Sequence, residues 1–175
     1  GTWNNNWVDF PRDKTVVDLF EEQVEKTPDA VAVVFEDQSL TYEQLNRLSN
    51  QLAHTLLENF PQIQPDTTIG LRVDRSLEMI VGIWGILKTG AAYVPLDPSN
   101  PLERNSFILK DSNSIIFLTS LNIPKKQFYS NFINFSIYKN SLNFSIPLSK
   151  RNNNILISNS KNYLFSILYT SGSTC

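Results

Sequence analysis

Three short apolar runs, separated by two segments with helical spacing, are the feature that most limits what this chain can fold into. The alternation occupies residues 67–119. Ser76 can cap the first helix at its start, and Gly90 can end it in a left-handed conformation. The predicted strands are 68–73, 91–96 and 114–119, and the predicted helices are 77–88 and 102–110. Strands and helices that alternate at such short separations are typical of a doubly wound parallel sheet with helices on its faces, so we predict an α/β fold.

The helix predicted at 77–88 has apolar residues on nearly all sides, so we expect it to be buried. Gly82 and Gly85 lack side chains three positions apart, which would let a neighbouring element approach closely. Lys88 lies in the last turn, where a cation complements the helix dipole.

The earlier part of the chain predicts two more helices. Thr15 can cap a helix over 16–26, and Thr41 with Gln44 forms a capping-box pattern at the start of a second helix. The second helix carries an apolar stripe of four leucines: Leu45, Leu48, Leu52 and Leu56. A β-branched run predicts a strand over 31–35, followed by a turn over 36–39.

Residues 121–162 differ in texture from the rest, because they are rich in Asn, Ser, Lys, Phe and Ile without a clear period. We predict a strand over 135–138 and otherwise an irregular connection, with a turn at 151–154.

Near the end, an apolar run over 163–168 predicts a strand that leads directly into Thr170-Ser171-Gly172-Ser173-Thr174. Backbone N–H groups and hydroxyls in such a loop can converge on an anion, and ligands of open parallel sheets bind at the carboxyl ends of strands. The loop is therefore a candidate phosphate site, although Ser/Gly/Thr clusters also form plain turns.

Composition excludes several functions. The net charge of -2 gives no basic surface for nucleic acid, and no stretch approaches the length of a membrane span. The single cysteine, Cys175, cannot form an internal disulfide. His54 has no second ligand at metal spacing, so we expect a solvated side chain. We predict a cytoplasmic protein without a metal site of its own.

Five stretches, in a fixed order, carry a family resemblance. They are Trp3-Asn4 with Phe10-Pro11; residues 19–32; LTYEQLN at 40–46; LKTGAAYVPLDP at 87–98 with Pro101 and Arg104; and YTSGST at 169–174. Together they resemble the adenylation domains of nonribosomal peptide synthetases, within the adenylate-forming (AMP-dependent synthetase and ligase) superfamily. The stretch at 87–98 favours the peptide synthetase branch over the acyl-CoA branch.

The resemblance implies amino-acid activation. A substrate carboxylate would attack the α-phosphate of Mg²⁺-bound ATP, and the acyl group would later pass to the phosphopantetheine thiol of a carrier domain. In that chemistry Thr170, Ser171, Gly172, Ser173 and Thr174 would hold the β- and γ-phosphates. No residue matches a catalytic base or lysine, and we assign no catalytic role to Lys88, Asp97 or Arg104.

The resemblance also implies a domain organisation. Residues 1–12 would be a linker or arm from an upstream module, and residues 13–175 a truncated N-terminal part of an adenylation domain, with condensation and carrier domains as partners. The family continues the phosphate loop with Gly where this chain has Cys175, so we expect the chain alone to be inactive. A non-catalytic remnant and a fragment of an acyl-CoA ligase are the alternatives.

Overall fold

The computed structural model describes residues 14–114, 116–120, 131–138 and 140–145. In this part of the chain the elements are, in order, α1 (Val16–Lys26), β1 (Val31–Phe35), β2 (Gln38–Thr41), α2 (Tyr42–Asn59), β3 (Thr68–Arg72), α3 (Leu77–Lys88), β4 (Ala92–Pro95), α4 (Leu102–Asp111), β5 (Ile116–Thr119), β6 (Asn131–Tyr138) and β7 (Ser141–Ser145). The helices and strands predicted before residue 120 are all present, with bounds that agree to within two residues. The turn and strand predicted at 151–154 and 163–168 lie outside the described residues.

The main sheet has five strands in the order β4-β3-β5-β6-β7. Strands β4, β3, β5 and β6 are parallel, and β7 pairs antiparallel with β6. The predicted doubly wound parallel sheet is thus confirmed. Strands β1 and β2 form a separate antiparallel hairpin.

Helices α3 and α4 cover opposite faces of this sheet. A Cβ atom on Gly70 of β3 would lie 2.7 Å from Leu109 of α4, whereas the next residue, Leu71, lies under Gly82 of α3. Since successive residues of a strand point to opposite faces, the two helices lie on different sides. This is the arrangement expected where strand order reverses on the two sides of β3.

The helix starts follow the sequence signals closely. Thr15 accepts a hydrogen bond from the backbone N–H of Asp18 and Thr41 accepts one from Gln44, and each partner side chain accepts one in return. Both capping boxes are complete. Gly90 has a φ of 88°, which confirms the left-handed end of α3.

The larger core lies between α2, α3 and the sheet. All four leucines of the predicted stripe on α2 are buried there. A Cβ atom on Gly85 would lie 2.5 Å from Cδ2 of Leu52, so α2 and α3 touch closely at this point. The close approach predicted at the two α3 glycines is confirmed, and no residue of α3 is exposed. A smaller core of Leu96, Leu109 and Phe117 lies under α4.

Two predictions of secondary structure were wrong. Residues 38–39 begin strand β2 rather than completing a turn, and the hairpin reverses within the two residues before them, of which Glu36 has a φ of 56°. Residues 131–145 are not mostly irregular, because β6 is longer than the predicted strand and β7 follows it. Asn140, with a φ of 58°, lies in the tight turn between them, and Leu142 of β7 is buried.

Candidate functional site

The carboxyl edge of the parallel sheet is the part of the described structure where a ligand is expected. Strand β4 follows β3 on one side, and β5 returns to pair with β3 on the other. The strand order therefore reverses at the β3–β5 pair, and ligands of open α/β sheets bind in the crevice outside the carboxyl ends at such a point.

Two polar residues end the strands at this crevice. Arg72 is the last residue of β3, and its register partner is Thr119, the last residue of β5. Thr119 is fully buried, Arg72 is half-buried, and Ser120 donates its N–H to the Arg72 carbonyl at 3.4 Å. Burial lowers the pKa of the Arg72 guanidinium, while the negative charge of Asp74 raises it. A cationic residue and a hydroxyl residue are thus register partners at the sheet edge.

The loop after β4 reaches the same edge and is fixed by its own hydrogen bonds. The Asp97 carboxylate accepts bonds from the Ser99 N–H at 2.9 Å and from its hydroxyl at 2.8 Å. The backbone bond is the main reason why the pKa of Asp97 is lowered. Asn105, which is buried, donates to the Asp97 carbonyl at 2.9 Å. The Asp97 carboxylate thus stabilises the turn that it begins.

Lys88 and Arg104, the two other residues without a catalytic assignment, make contacts of a different kind from those of Asp97. Arg104 lies on α4 with its guanidinium carbon 6.0 Å from the centroid of the Phe107 ring. Lys88 is buried at the end of α3, and its Nζ lies 2.6 Å from Oδ1 of both Asn46 and Asn50. The sequence pattern indicated only the helix dipole at Lys88. The signal that could have found its partners is the pair of asparagines four residues apart on α2.

The predicted phosphate loop, Thr170, Ser171, Gly172, Ser173 and Thr174, lies outside the described residues, so the structure does not test it. His54 is half-buried rather than solvated, and burial lowers its pKa. Among the described residues no three His, Cys, Asp or Glu side chains are grouped so that they could hold a metal ion. Within the same residues no helix is both long and apolar enough to cross a membrane.

Comparison with known proteins decides the family. A family model described as "AMP-binding enzyme" matches residues 20–175. The chain belongs to the AMP-binding enzyme family. It is 41% identical over 172 residues to one of the mycosubtilin synthase proteins of Bacillus subtilis and 43% identical over 175 residues to bacitracin synthase 3 of Bacillus licheniformis. Each match covers 98% of this chain, and the resemblance to the N-terminal part of a peptide synthetase adenylation domain is confirmed.

Another relative in this family, one of the linear gramicidin synthase proteins of Brevibacillus parabrevis, is 50% identical over 129 residues, which cover 71% of this chain. The matched regions are 2%, 6% and 3% of the lengths of the gramicidin, mycosubtilin and bacitracin proteins. This chain thus spans a small part of the length of these relatives.

Two solved structures share the fold. The N-terminal subdomain of Klebsiella oxytoca NpsA in complex with 3-hydroxybenzoyl-AMSN matches with a TM-score of 0.59 and 24% identity, over 68% of this chain and 30% of that one. The O-succinylbenzoate coenzyme A synthetase MenE of Bacillus subtilis, in complex with AMP, matches with a TM-score of 0.60 and 23% identity, over 66% of this chain and 30% of that one.

Proposed function

We propose that this chain is part of a domain that activates an amino acid with ATP for nonribosomal peptide synthesis. One carboxylate oxygen of the amino acid attacks the α-phosphorus of ATP. The bond from that phosphorus to the oxygen bridging to the β-phosphate breaks, so that aminoacyl-AMP forms and pyrophosphate leaves. The observation that carries this proposal is the similarity to peptide synthetases over 98% of the chain.

Within that reaction we assign the binding of the pyrophosphate leaving group to one loop. It consists of Thr170, Ser171, Gly172, Ser173 and Thr174. Its hydroxyls and backbone N–H groups would donate hydrogen bonds to the β- and γ-phosphates as pyrophosphate charge develops. The assignment is supported by chain order, because the loop follows an apolar run and ligands of such sheets bind at carboxyl ends.

The organisation of the longer protein is also part of the proposal. Residues 1–12 form an arm from an upstream module, and residues 13–175 begin the adenylation domain. Condensation and carrier domains are the partners, Mg²⁺ accompanies the ATP, and the phosphopantetheine thiol of the carrier receives the acyl group. The protein acts in the cytoplasm, and this chain alone does not complete the reaction.

The test is amino-acid-dependent exchange of labelled pyrophosphate into ATP. We would measure it in a chimera in which this chain replaces the matching segment of an adenylation domain of bacitracin synthase 3, with the unaltered domain as the positive control. We expect exchange by the chimera and none by this chain alone. A folded chimera that binds ATP but exchanges with no amino acid would contradict the proposal, and exchange driven by fatty acids would favour the acyl-CoA branch.

The loop assignment has its own test in the same chimera. Removing a donor to a developing negative charge costs about 10²-fold in rate, so we expect Ser171→Ala or Ser173→Ala to lower exchange by that order. Ser136→Ala is the matched control, because Ser136 is exposed on β6. Equal activity of the loop variants and the control would remove the loop from the proposed mechanism.

A further inference from the structure

The Lys88 side chain is a charged group enclosed by the fold. It is 1% exposed, and its Nζ lies 2.6 Å from Oδ1 of Asn46, 2.6 Å from Oδ1 of Asn50 and 3.3 Å from the Asn46 carbonyl oxygen. An ammonium has three N–H donors, and α2 supplies three acceptors. Among the described residues, the acceptors that hold this charge are thus neutral amide and carbonyl oxygens.

Helix α1 closes another side of this group. The Lys88 Nζ lies 5.1 Å from the centroid of the Phe20 ring, within the range of a cation–π contact. Phe20 also stacks on Trp84 of α3, with centroids 4.4 Å apart. The Phe20 ring therefore covers one side of the buried Lys88 ammonium.

Helix α1 is anchored by few residues. Val17 and Phe20 are its two buried residues among those described. This helix of 11 residues has two buried side chains and a partly buried Val24 that packs against the core, so it is a candidate for local opening, since opening free energy follows the buried apolar contacts that a segment makes.

We propose that α1 is a movable cover over the Lys88 ammonium and that hydration of this ammonium favours the opening of α1. When α1 is closed, the charge is enclosed by protein. When α1 swings away, water replaces the Phe20 ring and the charge recovers its hydration. The proposal concerns a conformational change of this chain and does not depend on the proposed function.

The direction of the pH dependence follows from the two states. Burial lowers the pKa of Lys88 to about 7 in the closed form, although the charge of Glu21 on α1 acts in the opposite direction. A hydrated lysine has a pKa of about 10.4. The open form therefore binds the proton more tightly, and the opening equilibrium should fall about tenfold per pH unit between these two values. Below about pH 7 it should level off, since both forms are then protonated.

Within the described residues, α1 and α2 carry charged and titratable groups close in sequence to the contacts of Lys88. Glu21 is the charged group of α1 that acts on it. On α2 the groups in contact with Lys88 are neutral asparagines. Glu43 and Arg47, within three residues of Asn46 in sequence, lie 3.9 Å from each other. The titratable Tyr42 ring lies 6.2 Å from that of Phe20, and His54 lies one turn beyond Asn50 on α2. His54 is the group whose titration must be separated by experiment.

Amide hydrogen exchange of the full chain tests the cover. Exchange of α1 and β3 amides would be followed from about pH 6 to about pH 9 and corrected for the chemical rate. We expect α1 to be less protected than β3, with a protection factor that rises about tenfold per unit above pH 7. Equal protection of α1 and β3 would mean that α1 opens only with the whole fold, and would overturn the proposal.

Substitutions assign the pH dependence. Lys88→Met keeps a long apolar side chain and should make α1 protection independent of pH. Two control variants should keep the wild-type dependence of the α1 protection factor on pH. They are His54→Gln and Lys110→Met, on the exposed side of α4. The proposal would be wrong if the α1 protection factor still rose with pH in Lys88→Met, or no longer rose with pH in His54→Gln.

A second variant keeps the test open if Lys88→Met does not fold. Glu21→Gln removes the charge that raises the pKa of Lys88 in the closed form. The pH at which α1 protection begins to rise should then move below that of the wild type, by the shift in pKa. An unchanged onset in this folded variant would contradict the proposal.

Discussion

The Phe20 ring of α1 stacks on the Trp84 indole of α3 at a centroid distance of 4.4 Å and an interplanar angle of 20°. This contact joins the first helix to the helix at the centre of the larger core. We predict that Phe20→Ala lowers the free energy of unfolding by about 3–5 kcal/mol, as is usual when a buried aromatic side chain is removed.

Chemical denaturation measures the Phe20 prediction. Phe107→Ala is the matched control, because Phe107 is 58% exposed on α4 and its removal should cost less than about 0.5 kcal/mol. Equal losses in the two variants would show that Phe20 is not an anchor of the core.

The contact of Gly85 with Leu52 gives a second prediction. A Cβ atom on Gly85 would lie 2.5 Å from Cδ2 and 2.7 Å from Cγ of Leu52. Gly85→Ala should gain about 1 kcal/mol in helix propensity and lose about 1–3 kcal/mol to overpacking. We expect the variant to be less stable than the wild type.

A double-mutant cycle checks the cause. In a Leu52→Ala background the added methyl group has room, so Gly85→Ala should become neutral or stabilising. Strict additivity of the two changes in unfolding free energy would contradict the steric explanation.

Gly90 gives a prediction of a different kind, because its constraint is conformational. Its φ is 88°, and a Cβ atom there would meet nothing within 4 Å. Gly90→Ala should cost about 1–2 kcal/mol from the left-handed backbone alone, and Gly90→Asn should cost less. Chemical denaturation of both variants measures whether alanine costs more stability than asparagine at this position. If alanine were tolerated as well as asparagine, the end of α3 would have to relax out of this conformation.

Much of the fold follows from local signals. The capping boxes at Thr15 and Thr41 and the leucine stripe of α2 fix where the first helices begin and which side they bury. The sequence does not predict strand β7, although Leu142 and Phe144 alternate with polar residues, because the alternation is short and residues 121–162 show no clear period as a whole. Such a strand forms its hydrogen bonds with its partner β6, so the residue pattern of the segment alone does not predict it.

The site was less predictable than the fold. The register that places Arg72 beside Thr119 comes from the pairing of two strands that are far apart in sequence, and no local pattern carries it. The enclosure of Lys88 is also a tertiary effect, since its acceptors lie on α2 and the covering ring on α1. The phosphate loop, from Thr170 to Thr174, stays a prediction.

His54 gives a prediction for acidic solution. Burial lowers its pKa below the ordinary value of 6.5 in the folded state, so the unfolded chain takes up its proton first as the pH falls. The stabilisation that the neutral imidazole contributes is therefore fully present above about pH 6.5. It is lost as the pH falls toward the pKa of His54 in the folded state. His54→Gln should lose less stability than the wild type over this range.

Urea denaturation of both proteins at a series of pH values measures this difference. The carboxylates titrate in both proteins, so the difference between the two curves isolates His54. It should be flat above about pH 7 and should change only below about pH 6.5, because that is where an ordinary histidine begins to take up its proton. A difference that stayed constant from neutral to acidic pH would show that the pKa of His54 is the same in the folded and unfolded chain.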